Sequence, residues 1–252
     1  MHADFSFYAI AIPAVILLGL SKGGLAGVGM AATPMLATVV PPLQAAAIIF
    51  PILLVQDAIT VYAYRYSWDR RNLILLLPGA AVGVAAAYLT ASMVSDTAIM
   101  LIIGLVTVAF SLLQFLRRVP EEVTVHPGHL TGFLCGAASG FTSMIANAGS
   151  PPFQMYVMPQ RLPPTLFVGT SAVFFGVTNY FKLIPFILLG QFDRTTLLTT
   201  ALLMPLAIVS TYAGVWLIRR MSSARFYPLI NGLLFAVGLR LVWSGLRGYG
   251  VF

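Results

Sequence analysis

Lys22, Asp57, Asn179 and Lys182 are polar or charged groups set inside long apolar stretches of the chain. A charge at that depth costs roughly 2.5 to 3.5 kcal/mol on insertion scales, so each needs a partner or a use. Lys22 lies in the run Gly19-Leu-Ser-Lys-Gly-Gly-Leu-Ala-Gly-Val-Gly29, where glycines make poor helix interior and leave backbone amides bare. A cation beside bare amides attracts an anion, which makes Lys22, Gly23 and Gly24 candidate contacts for one. The competing reading is a lysine that snorkels to an interface or pairs with Asp57, with glycines that serve close helix packing. Asp57, Asn179 and Lys182, the last two one helical turn apart, read either as the lining of a path, with Asp57 able to carry a proton, or as interhelical hydrogen bonds that hold a bundle. A second polar run, Ser143-Met-Ile-Ala-Asn-Ala-Gly-Ser-Pro-Pro152, adds Asn147, Gly149 and Ser150, and Gln44 and Gln154 lie near the same elements. Any of these could simply bond to backbone.

The elements that must position these groups are membrane helices. Of the 252 residues, 59% are hydrophobic and 8% charged, and the mean hydropathy is +0.93, more than a soluble core needs. Stretches such as Leu73 to Leu89 are apolar on every side, where a barrel strand would alternate. The expected order is an apolar stretch from Phe7 to Leu20, a break from Gly19 to Gly29 and a short apolar stretch to Val40. Spans follow at Leu43 to Tyr64, Leu73 to Thr90 and Thr97 to Leu116. A polar linker leads to Leu130 to Phe141, a break from Thr142 to Pro152, and spans near Leu166 to Leu189, Leu197 to Ile218 and Phe226 to Leu246.

That order repeats. At a spacing of 122 residues Ser21 falls on Ser143, Ala26-Gly27 on Ala148-Gly149, Pro41-Pro42 on Pro163-Pro164 and Asp57 on Asn179; at 124, Asp69-Arg70 falls on Asp193-Arg194. The fold class is therefore an all-α polytopic membrane protein of two repeated halves, each a broken or re-entrant helix followed by three transmembrane helices. The halves are 1–118 and 130–252, joined by a linker over 119–129. Broken helices at matching places in two repeats are how secondary transporters present helix ends and amides near the midplane.

Whether the halves are parallel or inverted is not decided by the positive-inside rule. With Arg65, Arg70, Arg71, Arg117 and Arg118 cytoplasmic, a parallel arrangement adds Lys182, Arg194, Arg240 and Arg247 to that side, and an inverted one adds Arg219, Arg220 and Arg225. The stretches flanking the first break are about 12 to 14 residues each, nearer re-entrant segments than the roughly 20 that a span needs, and this favours inversion.

Other classes find little support. The net charge of +7 comes from Lys and Arg that are scattered or sit at span ends, so it signals topology rather than nucleic acid. There is no His-Glu-x-x-His pair, Walker loop or Gly-x-Ser-x-Gly elbow, and His2, His126 and His129 are terminal or in the linker, so neither an enzyme, a metal nor a cofactor is expected. Met1-His-Ala-Asp lacks the basic stretch of a secretory signal, and the start is read as mature. The single cysteine, Cys135, reads as helix packing. The bilayer and a small anion are the expected partners, with self-association open. A carrier of another small solute (amino acid, carboxylate or cation) and a non-transport membrane scaffold remain alternatives.

Gly-Leu-Ser-Lys22-Gly-Gly, the Pro41-Pro42 opening, the Asp69-Arg70 loop and their second-half echoes resemble the TauE/SafE family, also called the sulfite exporters or toluene sulfonate uptake permeases. The similarity covers nearly the whole chain. It implies a multi-pass protein of a bacterial inner membrane that moves sulfur-containing anions such as sulfite, thiosulfate or organosulfonates, with export as the expected direction.

Overall fold

The computed structural model describes residues 5–25, 29, 32–36, 39–40, 42–90, 96–116, 127–188 and 194–249. Pro41, Asp193, parts of the first break and residues 117–126 of the linker region lie outside that description, so expectations on them are not addressed. The described elements are helical: α1 (Phe5–Gly23), α2 (Ala32–Leu36), α3 (Pro42–Ala63), α4 (Arg70–Thr90), α5 (Asp96–Leu116), α6 (His129–Ala146), α7 (Ser150–Val157), α8 (Pro164–Leu188), α9 (Arg194–Arg219) and α10 (Ser223–Gly248). Among the described residues, five segments are long and apolar enough to cross a membrane: Phe5–Gly23, Arg70–Thr90, Pro164–Ile184, Thr196–Arg219 and Ala224–Gly248. Large apolar side chains such as Ile74, Ile102, Leu202, Val209 and Trp216 face outward, as hydrocarbon solvent permits. The protein is a multi-pass membrane protein.

Small residues decide which helices touch. A methyl added at Gly79 or Gly83 of α4 would overlap the Phe133 or Ala137 carbonyl oxygen of α6, and one at Gly136 or Gly140 would overlap that of Leu76 or Ala80. On the other side of the bundle Gly19 and Gly23 of α1 lie against Ser210 and Gly214 of α9. Without a hydrophobic drive between helices in lipid, such backbone approach is what brings them together. It also corrects the expected length of the first segment. α1 runs 19 residues, through Gly19 and Gly23, beyond the 12 to 14 expected, because contact with α9 offsets the weak helix propensity of its glycines. α6 likewise continues past Phe141 to Ala146.

These contacts give each helix a direction. Gly19 and Gly23 against Ser210 and Gly214 make α1 parallel to α9, and Thr200 on the Ile48 carbonyl with Gln56 on that of Ala207 makes α3 parallel to α9 as well. With α1 and α3 parallel, the chain between them must return along the bundle; α2, packed on both, lies on that return. α6 is parallel to α4 by the glycine contacts. α8 is antiparallel to α3, since Gly169 meets Ser67 and Asn179 meets Asp57. The chain between α6 and α8 therefore also turns back, through α7. α5 and α10 form an antiparallel pair in which Gly245 meets Leu101 and Gly238 meets Val108. That pair packs mainly on itself, and apolar crevices of about 390 and 340 Å³ separate α5 from α4 and α6.

Candidate functional site

The helices α1 and α6 each end on a residue of positive φ. α1 closes at Gly24, with φ +144°, whose amide donates to the Ser21 carbonyl at 3.1 Å. α6 closes at Asn147, with φ 51°, whose amide donates to the Ser143 carbonyl at 3.2 Å while that of Ala148 reaches Thr142 at 3.1 Å. Glycine and asparagine are the residues that tolerate this conformation, so both breaks are written into the chain. Hydroxyls from α6 then satisfy carbonyls of the second break: Ser139 donates to Gly149 at 2.6 Å and Thr142 to Ala148 at 3.0 Å. Unwound backbone at this depth is tolerated only with such partners or beside a cavity.

Between the two helix ends lie the charged groups. Lys22 forms an ion pair with Asp57 at 2.5 Å, with side chains 15% and 5% exposed. The other carboxylate oxygen of Asp57 accepts from the Asn179 amide at 2.7 Å. Lys182, 1% exposed, donates to the Asn147 Oδ1 at 2.7 Å and lies 3.5 Å from the Ser143 hydroxyl. Phe175 faces the Lys22 ammonium and Phe50 that of Lys182, each 5.7 Å away at the ring centre. The Lys22–Asp57 contact is the one ion pair among the described residues. Asp57 is thus held by Lys22 and Asn179, while Lys182 has neutral partners, Asn147 and Ser143.

A cavity of about 80 Å³ opens at this point, and the polar part of its wall is Ser21, Lys22, Thr33, Ser143, Asn147, Ser150, Ser171 and Asn179. Its volume is that of a few waters or one small oxyanion. Of the residues expected from the sequence, Lys22, Asn147, Gly149, Ser150 and Asn179 line it. Asp57 and Lys182 stand one layer behind, reached through Lys22, Asn179 and Asn147. Gly23 lies against Gly214, and Gly24 lies against Ile218 and Val168, so these glycines serve helix contact and chain reversal instead of the cavity wall. Gln44, near the start of α3, is not among the lining residues, and Gln154 is fully buried in α7 with neither amide atom partnered. The hydroxyls of Ser21, Thr33, Ser143 and Ser171 were not singled out by sequence. Their only signal is position, since Ser21 and Ser143 sit at matched places in the two breaks.

A family model described as the sulfite exporter TauE/SafE matches residues 11–241. No curated protein and no solved structure shows significant similarity to the chain.

Proposed function

The chain belongs to the TauE/SafE sulfite exporter family, and from that premise we propose that it is a secondary transporter which carries small sulfur-containing anions, sulfite or thiosulfate before bulkier organosulfonates, outward across a bacterial inner membrane. The observation that supports this reading is the surplus of positive charge inside the bundle: Lys22 and Lys182 flank one small cavity, with Asp57 as their only acidic neighbour among the described residues. A buried cation without a counter-ion is costly, and a bound anion supplies one. The short α7 starts at the same cavity, so its positive end adds to that potential. A volume of about 80 Å³ suits an inorganic oxyanion, and an aryl sulfonate would require the helix ends to part.

The binding step on this reading is an exchange of partners. Lys22 leaves Asp57 for the anion, Asn179 retains the carboxylate, and the hydroxyls of Ser21, Ser143, Ser150 and Ser171 donate to the remaining anion oxygens. Lys182, through Asn147, holds the opposite wall. Export needs no pump, because an inside-negative potential of about 100 mV favours outward movement of each negative charge by about 2.3 kcal/mol.

The same reading takes residues 1–118 and 130–252 as two halves of inverted topology around the linker 119–129. Its support is reciprocity in the packing. Exchanging the first five helices for the last five turns the α1/α9 contact into the α6/α4 contact and maps the α3/α8 and α5/α10 pairs onto themselves. The arginines agree: Arg219 donates to the Ala63 carbonyl, so Arg65, Arg70, Arg71, Arg219, Arg220 and Arg225 gather at one end of the bundle.

The test is thermal unfolding of purified protein against sulfite, thiosulfate, sulfonates and carboxylates, with Lys22→Ala as the control. Stabilisation by the small sulfur oxyanions that Lys22→Ala abolishes is the expected result. Equal stabilisation by carboxylates would favour a general anion carrier, and indifference to every anion would remove the proposal.

A further inference from the structure

The charges around the cavity at the breaks are unevenly matched. α1 brings Lys22, α3 brings Asp57 and α8 brings Lys182, while α2, α7 and the end of α6 bring only neutral groups, among them Thr33, Ser150 and Asn147. The chain after Lys22, residues 23–42, and the second break, residues 143–155, contain no ionisable side chain. On α9, Arg219 is exposed and bonded to the Ala63 carbonyl, apart from the cavity. Two ammoniums and one carboxylate therefore leave one positive charge in surplus.

Two amides keep it there. Lys22 to Asp57 and Lys182 to Asn147 each join the end of a broken helix to the long helix that follows it, and both pairs are 35 residues apart. The first tether has a carboxylate as its acceptor and the second a neutral carbonyl. Across the bundle Asp57 meets another amide, Asn179. A carboxylate at position 147 would cancel the surplus, and an amide at position 57 would double it.

We propose that this cavity takes singly charged oxyanions, hydrogensulfite ahead of the sulfite and thiosulfate dianions, and that Asp57 is the residue that sets the valence. The inference rests on the anion-carrier reading above and narrows its substrate. A monoanion neutralises the site. A dianion leaves one negative charge beside Leu18, Ile49, Leu53 and Phe175, an apolar wall that cannot solvate it. The O–H of hydrogensulfite needs an acceptor, which an ammonium is not; the hydroxyls of Ser21, Ser143, Ser150 and Ser171 accept as well as donate.

The experiment titrates the full chain, purified in detergent, with three anions while thermal unfolding reads binding. Methanesulfonate is a monoanion throughout the neutral range, thiosulfate is a dianion, and sulfite passes from one charge to two near neutral pH. The unaltered protein should bind methanesulfonate about tenfold more tightly than thiosulfate. Its affinity for total sulfite, divided by that for methanesulfonate so that titration of the protein cancels, should fall about tenfold per pH unit once sulfite is a dianion. Asp57→Asn should reverse the order of thiosulfate and methanesulfonate and remove that fall. Asn147→Asp, which suits the left-handed backbone and gives Lys182 a counter-ion, should bind neither. Where Asp57→Asn melts too low to read, the unaltered protein in proteoliposomes gives the valence: the potential that halts sulfite flux against a known gradient reports the charge per anion, expected to be one. Thiosulfate bound as tightly as methanesulfonate, or a charge other than one, would overturn the inference and leave an anion carrier standing. Indifference to all three anions would remove the carrier reading and this inference with it.

Discussion

The carboxylate of Asp57 and the amide of Asn179 meet at 2.7 Å across the antiparallel helices α3 and α8, and the two positions are 122 residues apart. That is the spacing at which Ser21 falls on Ser143. Two positions related by that spacing therefore touch, one charged and the other neutral. One negative charge is left to face Lys22 and Lys182.

On the proposed exchange of partners Asp57 competes with the anion for Lys22, and Asp57→Asn should then tighten sulfite binding by about tenfold, equivalent to about 1.4 kcal/mol, while slowing turnover. Titration by thermal shift and flux in proteoliposomes measure the two effects. Lys22→Ala alone strands a buried carboxylate and should cost about 3 to 5 kcal/mol of stability. The double variant Lys22→Ala/Asp57→Asn should regain that stability without regaining transport. Unchanged anion affinity in Asp57→Asn would reduce the carboxylate to a structural partner.

Glycines should divide into two groups under substitution by alanine. Gly83→Ala and Gly136→Ala drive a methyl into backbone of the facing helix, which cannot swing aside, and should lower stability by about 1 to 3 kcal/mol or block assembly. Gly232→Ala, on α10 with nothing within 4 Å of the new methyl, should raise it by about 0.5 to 1 kcal/mol. Denaturation of the three purified variants in one detergent decides between these signs.

If an anion leaves alone, its flux from proteoliposomes must follow an imposed potential at fixed pH gradient, about tenfold in equilibrium ratio for each 60 mV or so when it carries one charge and for half that when it carries two. A flux indifferent to potential would point to electroneutral coupling, with Asp57 the acidic group deep in the bundle that could carry the proton.

Inverted halves place the loop after α3 and the start of α9 at opposite faces of the membrane. Single cysteines at Tyr66 and Arg194, both exposed, introduced into a Cys135-free background, should label from opposite sides of intact cells. Labelling of both from one side would exclude inversion.

Much of this arrangement is legible in the residues. Glycine runs mark the breaks, apolar lengths mark the spans, and the depth of Lys22, Asp57 and Lys182 marks the site, because each of these follows from hydrophobicity or backbone freedom alone. The pairing of Lys22 with Asp57, one of two readings open from sequence, is present, and it coexists with a cavity. What sequence could not give is which face a small residue turns. Gly23 and Ser21 are neighbours of similar size, yet one lies against α9 and the other on the cavity wall, and only helix rotation separates them. The same holds for Gln154, whose polarity suggests a lining and whose place on α7 buries it.

The crevices beside α5 carry one more consequence. Where protein leaves such gaps open to a bilayer, acyl chains fill them, so the α5/α10 pair rests on lipid along a seam where other helices rest on glycine-to-backbone contact. The stiffness of that seam is then a property of the membrane.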